Sequence, residues 1–334
     1  MAATSKVTSK NDHNWLKKTI NKIPPVYYFL VIVFVLFASL DQIFADGQMV
    51  TNPNILMNIV IRSVALGIVA IGQTFVMIGA SIDLSVTYVI SITSVMSSYI
   101  MQGDPANVPM AVIIVFILGA LVGLVNGLII TKLKVNSFIT TLGTSLILKG
   151  MINASFANFA GEVPRSFELL GYGRIGPIPV SILILLALVA IGSFILNRTK
   201  FGSHLFGVGG NMEVARLSGL RTDRVLIIAH ILCSITAVLT GLFVVSRIRA
   251  GAPWIGPDGV YDLESIAATV IGGTALSGGH GDVWGTLAGV LIFGVLDTAF
   301  NQLGINPYLK NILRGAIVVL AVASYTARTK KDAS

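Results

Sequence analysis

Four residues separate Ser137 from Thr141, Thr141 from Ser145, and Ser145 from Lys149. Three hydroxyls and an ammonium therefore share one face of any helix drawn through them. Asp297 and Asn301 repeat the spacing. Both sets sit inside apolar runs, where polar side chains turn toward a bundle interior or a wet cavity and ionisable ones are functional suspects. The chemistry on offer is hydrogen bonding to a passing polar group. Hydrogen bonds between helices, and snorkelling of Lys149 to the outer interface, are the plainer uses of the same residues. A third polar position, Asp83, stands between two apolar runs. At a cytoplasmic turn it would cap the helix that follows and face the positive end of its dipole. A gating role is the other reading.

Residues so placed require membrane helices to hold them. Of 334 residues, 54% are hydrophobic and 11% charged, and the mean hydropathy is +0.84. Soluble chains devote about 25% to charged residues, and a soluble fold with less than half that would expose large apolar patches. The composition predicts an all-α polytopic membrane bundle and excludes a disordered chain. A disulfide scaffold is excluded too, because Cys233 is the single cysteine, best read as a small packing residue.

About ten spans fit the roughly 20-residue requirement: Val26 to Ala45, Ile55 to Gly79, Ser85 to Met101, Pro109 to Ile130, Phe138 to about Ala157, Val180 to Leu196, Val225 to Val245, Leu263 to Leu276, Trp284 to Leu303 and Tyr308 to Tyr325. The third and eighth are short. The chain divides into a basic leader, 1–25, a membrane domain, 26–326, containing a cytoplasmic loop, 197–224, and a tail, 327–334. With both termini cytoplasmic, 15 Lys and Arg lie in inside segments and 4 in outside loops, which the positive-inside rule favours. The net charge of +8 therefore reports topology and contact with the lipid bilayer, not nucleic acid. Gly119, Gly123 and Gly127 in the fourth span, and Gly285 and Gly289 in the ninth, recur at a spacing that lets helix backbones approach closely within the bundle.

Several chemistries are missing. There is no G-x-x-x-x-G-K-[ST] phosphate loop, no HExxH or Cys/His cluster, and no G-x-S-x-G elbow. The four histidines, His13, His204, His230 and His280, are scattered. A non-catalytic protein without a metal site follows. The informative segment is the loop Asn197 to Arg224. Within it, Asn211 to Ser218 reads as a short helix, with Asn211 as N-cap, Glu213 in the positive first turn and Gly219 just past the end. Gly209 and Gly210 precede it as a hinge. A rigid helix on a cytoplasmic face suits docking into a partner, although it would also serve lying against its own bundle.

These residues carry a family resemblance. Gly207-Val208-Gly209-Gly210-Asn211-Met212-Glu213-Val214-Ala215-Arg216-Leu217-Ser218-Gly219-Leu220 is similar to the cytoplasmic loop of permeases from bacterial ABC importers of the ribose, xylose and galactose type. Ser81-Ile82-Asp83-Leu84-Ser85-Val86 resembles a second motif of that family, and the run from Leu263 to Gly281 a third. The segment Val135 to Gly143 fits as well, and the likeness spans roughly residues 50 to 326. Ser81 and Thr87 stand where the family has glycine, and His280 where lysine or arginine is common.

The resemblance implies a permease subunit paired with a second copy or a paralogue, two cytoplasmic ABC ATPases, and a periplasmic or lipid-anchored sugar-binding protein. ATP and Mg would be used by the partner ATPase, with no cofactor on this chain. Gly209, Gly210, Asn211, Glu213, Ala215, Arg216, Ser218 and Gly219 would form the ATPase-coupling element. A sugar path needs spaced polar side chains and few fixed charges, which makes Ser137, Thr141, Ser145, Lys149, Asp297 and Asn301 its candidates. A proton- or sodium-coupled secondary transporter is the alternative; that class calls for internal repeats and discontinuous helices at a midplane site. Asp297 is the carboxylate expected well within a span.

Overall fold

The computed structural model describes residues 24–44, 47, 51–306, 308–317 and 319. The leader to residue 23 and the tail from residue 320, with the end of the tenth expected span, lie outside them. Among the described residues, six helices are long and apolar enough to cross a membrane. They include α1 (Pro25–Phe44), α2 (Pro53–Ile78) and α4 (Val108–Lys132), the last prolonged at its start by a 3₁₀ turn. The others are α7 (Val180–Arg198), α10 (Thr222–Ile248) and α13 (Val283–Gln302). Two further helices, α3 (Val86–Met101) and α5 (Ser137–Ser155), complete the long elements, and residues 308–317 are helical.

Hydrophobic burial sorts these helices into two shells. The second half of α2, nearly all of α3, and most of α10 and α13 are buried. They meet in one core that includes Val69, Val76, Ile90, Ala237 and Phe293. By contrast α1, α4, α5 and α7 bury one stripe and leave Val31, Ile113, Ile147 and Ile191 exposed, as lipid-facing helices do. The glycine repeats pack inside the chain. A Cβ on Gly123 would stand 2.7 Å from Ile231 Cα, and one on Gly127 2.7 Å from Ile227 Cα, so α4 and α10 cross backbone to backbone. Gly285 and Gly289 likewise abut the carbonyls of Gly272 and Ala268.

The eighth expected span, Leu263 to Leu276, differs. After α10 the chain passes through an irregular stretch and the single turn α11 (Ile255–Asp258). Only then does it form α12 (Tyr261–Ile271). Eleven residues rise about 16 Å, half of a roughly 30 Å hydrocarbon layer. The irregular stretch descends along α3: Ala252 N–H donates to Ser94 Oγ at 3.3 Å, Gly256 N–H to Ser91 Oγ at 3.1 Å, and Asp262 N–H to Thr87 Oγ1 at 3.1 Å. Serines and a threonine one helical turn apart thus satisfy backbone that could not otherwise lie inside a bundle. The connection between the fifth and sixth expected spans holds one helical turn, α6 (Leu169–Tyr172), and a two-residue antiparallel ladder pairing Arg174 with Pro179.

Candidate functional site

The segment from Asn197 onward is two helices. The first, α8 (Lys200–Gly210), contains Gly207, Gly209 and Gly210, so the expected glycine hinge is helical. The second, α9 (Met212–Leu217), carries the caps its sequence calls for. Asn211 Oδ1 accepts from the N–H groups of Glu213 and Val214, each at 3.0 Å. At the other end Gly219 N–H donates to Arg216 at 3.0 Å and Leu220 N–H to Ala215 at 3.1 Å, with Gly219 at φ 84°. This is the glycine-terminated Schellman arrangement. Ala215 is buried, whereas Val214 is 57% and Leu217 83% exposed. A six-residue helix is too short to persist on propensity; here its caps hold it with apolar side chains facing outward.

Gly209 explains why α8 is helical in spite of its glycines. Gly279 N–H donates to Ile78 O at 2.9 Å, and Gly209 packs directly on that pair. A Cβ on Gly209 would collide with Ile78 O and stand 2.6 Å from Gly279 N. The end of α2, the end of α8 and the turn 274–281 therefore meet at one point. Close packing repays the roughly 1 kcal/mol that glycine costs a helix.

Beyond Ile78 the chain crosses to α3 through residues 79–85, and the structure corrects the expected position of Asp83. It is fully buried, as is its partner His230, which lies two turns inside α10. Asp83 Oδ1 accepts from Ser85 N–H at 2.9 Å and Ser85 Oγ–H at 2.6 Å, ahead of the α3 N-cap, which is Ser85. Asp83 Oδ2 lies 3.1 Å from His230 Nδ1, and His230 Nε2 lies 2.9 Å from Ser81 Oγ. The order Ser–His–Asp mimics a hydrolase triad, but Ser81 is 4% exposed, so no substrate carbonyl reaches it. The chain of bonds is a pin.

The pin is braced on every side. With its amide turned to satisfy both of its ends, Gln73 donates to Asp83 O at 3.3 Å and accepts from Asp83 N–H at 3.2 Å. Ile82 N–H donates to Ser137 Oγ at 3.3 Å and Leu84 N–H to Thr141 Oγ1 at 3.1 Å. Asn126 Nδ2 donates to Ser85 Oγ at 2.9 Å, and Thr144 Oγ1 to Asn126 Oδ1 at 2.6 Å. Ser137 and Thr141 thus hold backbone, Ser145 is buried one turn on, and Lys149 is exposed. Ser81 and Thr87, which replace glycines of the resembled motif, both make cross-element hydrogen bonds.

The second polar stripe is also engaged. Arg314 bonds Asp297, its Nη1 lies 3.2 Å from Glu264 Oε1, and Lys310 Nζ donates to Asn301 at 2.5 Å. Arg314 and Lys310 thereby tie α13 to the last helical stretch. Asp297 is not the sole embedded carboxylate: Asp83 and Glu264 are more deeply buried. Glu264 sits in the first turn of the half-length α12, which starts after Val260 at φ 49°, a costly conformation for a β-branched residue. His230, Gln73, Asn126, Thr144 and Glu264 are absent from the sequence-based site. Their signal is polarity within apolar helices, which metal-ligand spacing does not register.

Residues 55–322 match the family described as branched-chain amino acid transport system, permease component, and the chain belongs to it. It is a multi-pass permease of the bacterial cytoplasmic membrane. The chain is 33% identical over 302 residues to the ribose import permease protein of Escherichia coli K12, covering 88% of this chain and 91% of that one. It is 34% identical over 313 residues to the galactose/methyl galactoside import permease protein of the same strain, with the same coverage. The ribose import permease protein of Bacillus subtilis 168 is 35% identical over 289 residues, 82% of this chain and 86% of that one. No solved structure matches the chain.

Proposed function

We propose that the chain is the membrane subunit of an ATP-driven importer that moves a monosaccharide or related polyol inward by alternating access. The observation that carries the coupling is α9, capped at both ends and presenting Val214 and Leu217 to a partner. That partner is a cytoplasmic ABC ATPase, which uses ATP and Mg; a second permease, identical or paralogous, and a periplasmic or lipid-anchored binding protein complete the machine. The names of the relatives support sugar as cargo. Gly209, Gly210, Asn211, Glu213, Ala215, Arg216, Ser218 and Gly219 form the coupling element. The topology that goes with this reading is about ten spans with both termini and α9 in the cytoplasm, which the excess of Lys and Arg in the inside segments supports. The sugar passes Ser145, Lys149, Asp297 and Asn301, while Ser137 and Thr141 brace the Asp83 segment.

The test is affinity purification of the tagged chain in mild detergent, intact and with Asn211-Met212-Glu213 replaced by glycines. A nucleotide-binding ATPase should accompany the intact chain and be lost from the variant. No ATPase under several mild conditions would move the assignment to a secondary transporter, and full uptake by the variant would refute the coupling role of α9.

A further inference from the structure

Five cations gather around one cavity at the end of the bundle that carries α9. Lys132 and Lys134 come from the end of α4, Arg216 from α9, and Arg221 and Arg224 from the start of α10. The cavity measures about 440 Å³ and contains one acid, Asp223. Asp223 is committed to a brace, with Lys132 Nζ at 2.6 Å and Arg216 Nη2 at 3.8 Å. Among the described residues no carboxylate is paired with Lys134, Arg221 or Arg224. Cations lining a concavity without counter-charge call for an anion.

What lies above the cavity says which anion. Along α4, half-exposed Leu124 and exposed Leu128 flank the glycine face and stand above Thr131 of the cavity lining. Along α10, exposed Ile228 and half-exposed Ile231 and Ile235 continue the face that begins at Arg224. Gly123 and Gly127 draw these two helices together, so the apolar stripes form one seam rising from the basic cavity. A basic head site beneath an apolar seam has the shape of a phospholipid. We infer that the cavity binds the phosphodiester headgroup of an anionic phospholipid whose acyl chains lie along the α4–α10 seam. Basic pockets between membrane helices hold anionic headgroups in this way. Because Arg216 belongs to α9, the lipid would also bear on how firmly α9 stands against the bundle. The inference is independent of the cargo.

The experiment uses the full chain purified in mild detergent, given phosphatidylglycerol or phosphatidylcholine, with retained lipid read by native mass spectrometry. Phosphatidylglycerol should be retained selectively. The variant Lys134→Gln/Arg221→Gln should lose about fivefold in retention per cation removed, about thirtyfold for the pair. Arg198→Gln/Lys200→Gln, with the same charge loss at the same end but outside the cavity, should retain it. Arg221→Lys/Arg224→Lys, which keeps the charge, should also retain it and guards against a folding defect. Equal retention by the cavity and control variants would overturn the proposal. So would displacement by glycerol phosphate as efficiently as by phosphatidylglycerol, which would mark a site for free phosphate esters.

Discussion

Replacing Asp83 by alanine removes the acceptor for three donors at once: the N–H and hydroxyl of Ser85 and Nδ1 of His230. The Ser85 hydroxyl can turn elsewhere, and it already accepts from Asn126. The Ser85 N–H and the imidazole cannot move. Two buried donors left without partners cost about 1–3 kcal/mol each, so about 4 kcal/mol together. Asp83→Asn is the informative contrast. Its amide oxygen keeps both Ser85 bonds, and its NH₂ can donate to Nδ1 if the imidazole proton moves to Nε2 and points at Ser81 Oγ. Only charge assistance is lost, about 1 kcal/mol. The chain supplies its own reporter, since Cys233 is the single cysteine and is fully buried, one turn beyond His230. Thermal exposure of this thiol to a fluorogenic maleimide in detergent follows the melting of this region. At roughly 2 °C per kcal/mol, Asp83→Ala should lower the midpoint by about 8 °C and Asp83→Asn by about 2 °C. Adding His230→Leu to Asp83→Ala should cost less than the sum of the two single changes, because they share a bond. Equal melting of the alanine and asparagine variants, or strict additivity with His230→Leu, would refute the pin.

Gly209→Ala should abolish sugar uptake, because the backbone atoms its Cβ would meet belong to Ile78 and Gly279 and cannot turn aside; Gly150→Ala, with nothing near its Cβ, should leave uptake intact. Asn211→Ala should weaken ATPase co-purification severalfold, since an N-cap with two hydrogen bonds is worth about 1 kcal/mol to a helix this short. Arg314→Leu strands Asp297 and Glu264 and should destabilise the chain by about 3–5 kcal/mol in the same thiol assay. Arg314→Lys should recover part of that loss.

Capping was legible because it is local: an asparagine and a glycine flanking a six-residue helix act through bonds within the same few residues. The long helices were legible because 20 apolar residues have few alternatives in a membrane protein. Asp83 was not. An ionised carboxylate among apolar runs reads as belonging at an aqueous turn, and only the fold brings His230, far along the chain, to its side. Nor was the broken eighth span, since hydropathy averages over backbone conformation and the serines of α3 that satisfy residues 252–262 lie on another element. The glycines before Asn211 misled in the opposite direction. They read as flexibility, while their lack of side chains serves close packing against Ile78 and Gly279.

The attachments of α9 close a ring. At its N-terminal end, α8 rests through Gly209 on the end of α2 and the 274–281 turn. At its C-terminal end, Leu220 and Arg221 lead directly into α10. The far side of the ring is the Asp83–His230 contact, which joins the segment leaving α2 to the body of α10. A pull on an unattached loop would be absorbed by the loop. A pull on α9 has no slack to take up, because both of its ends are fixed to elements that are themselves joined. It must move the α2 end relative to α10 or leave both in place. An ATPase that binds the two arrangements unequally would then shift their populations by its difference in affinity. The bonds of Asp83, His230 and Ser81, which join the two sides of the ring inside the bundle core, would then bear on the energy gap between those arrangements.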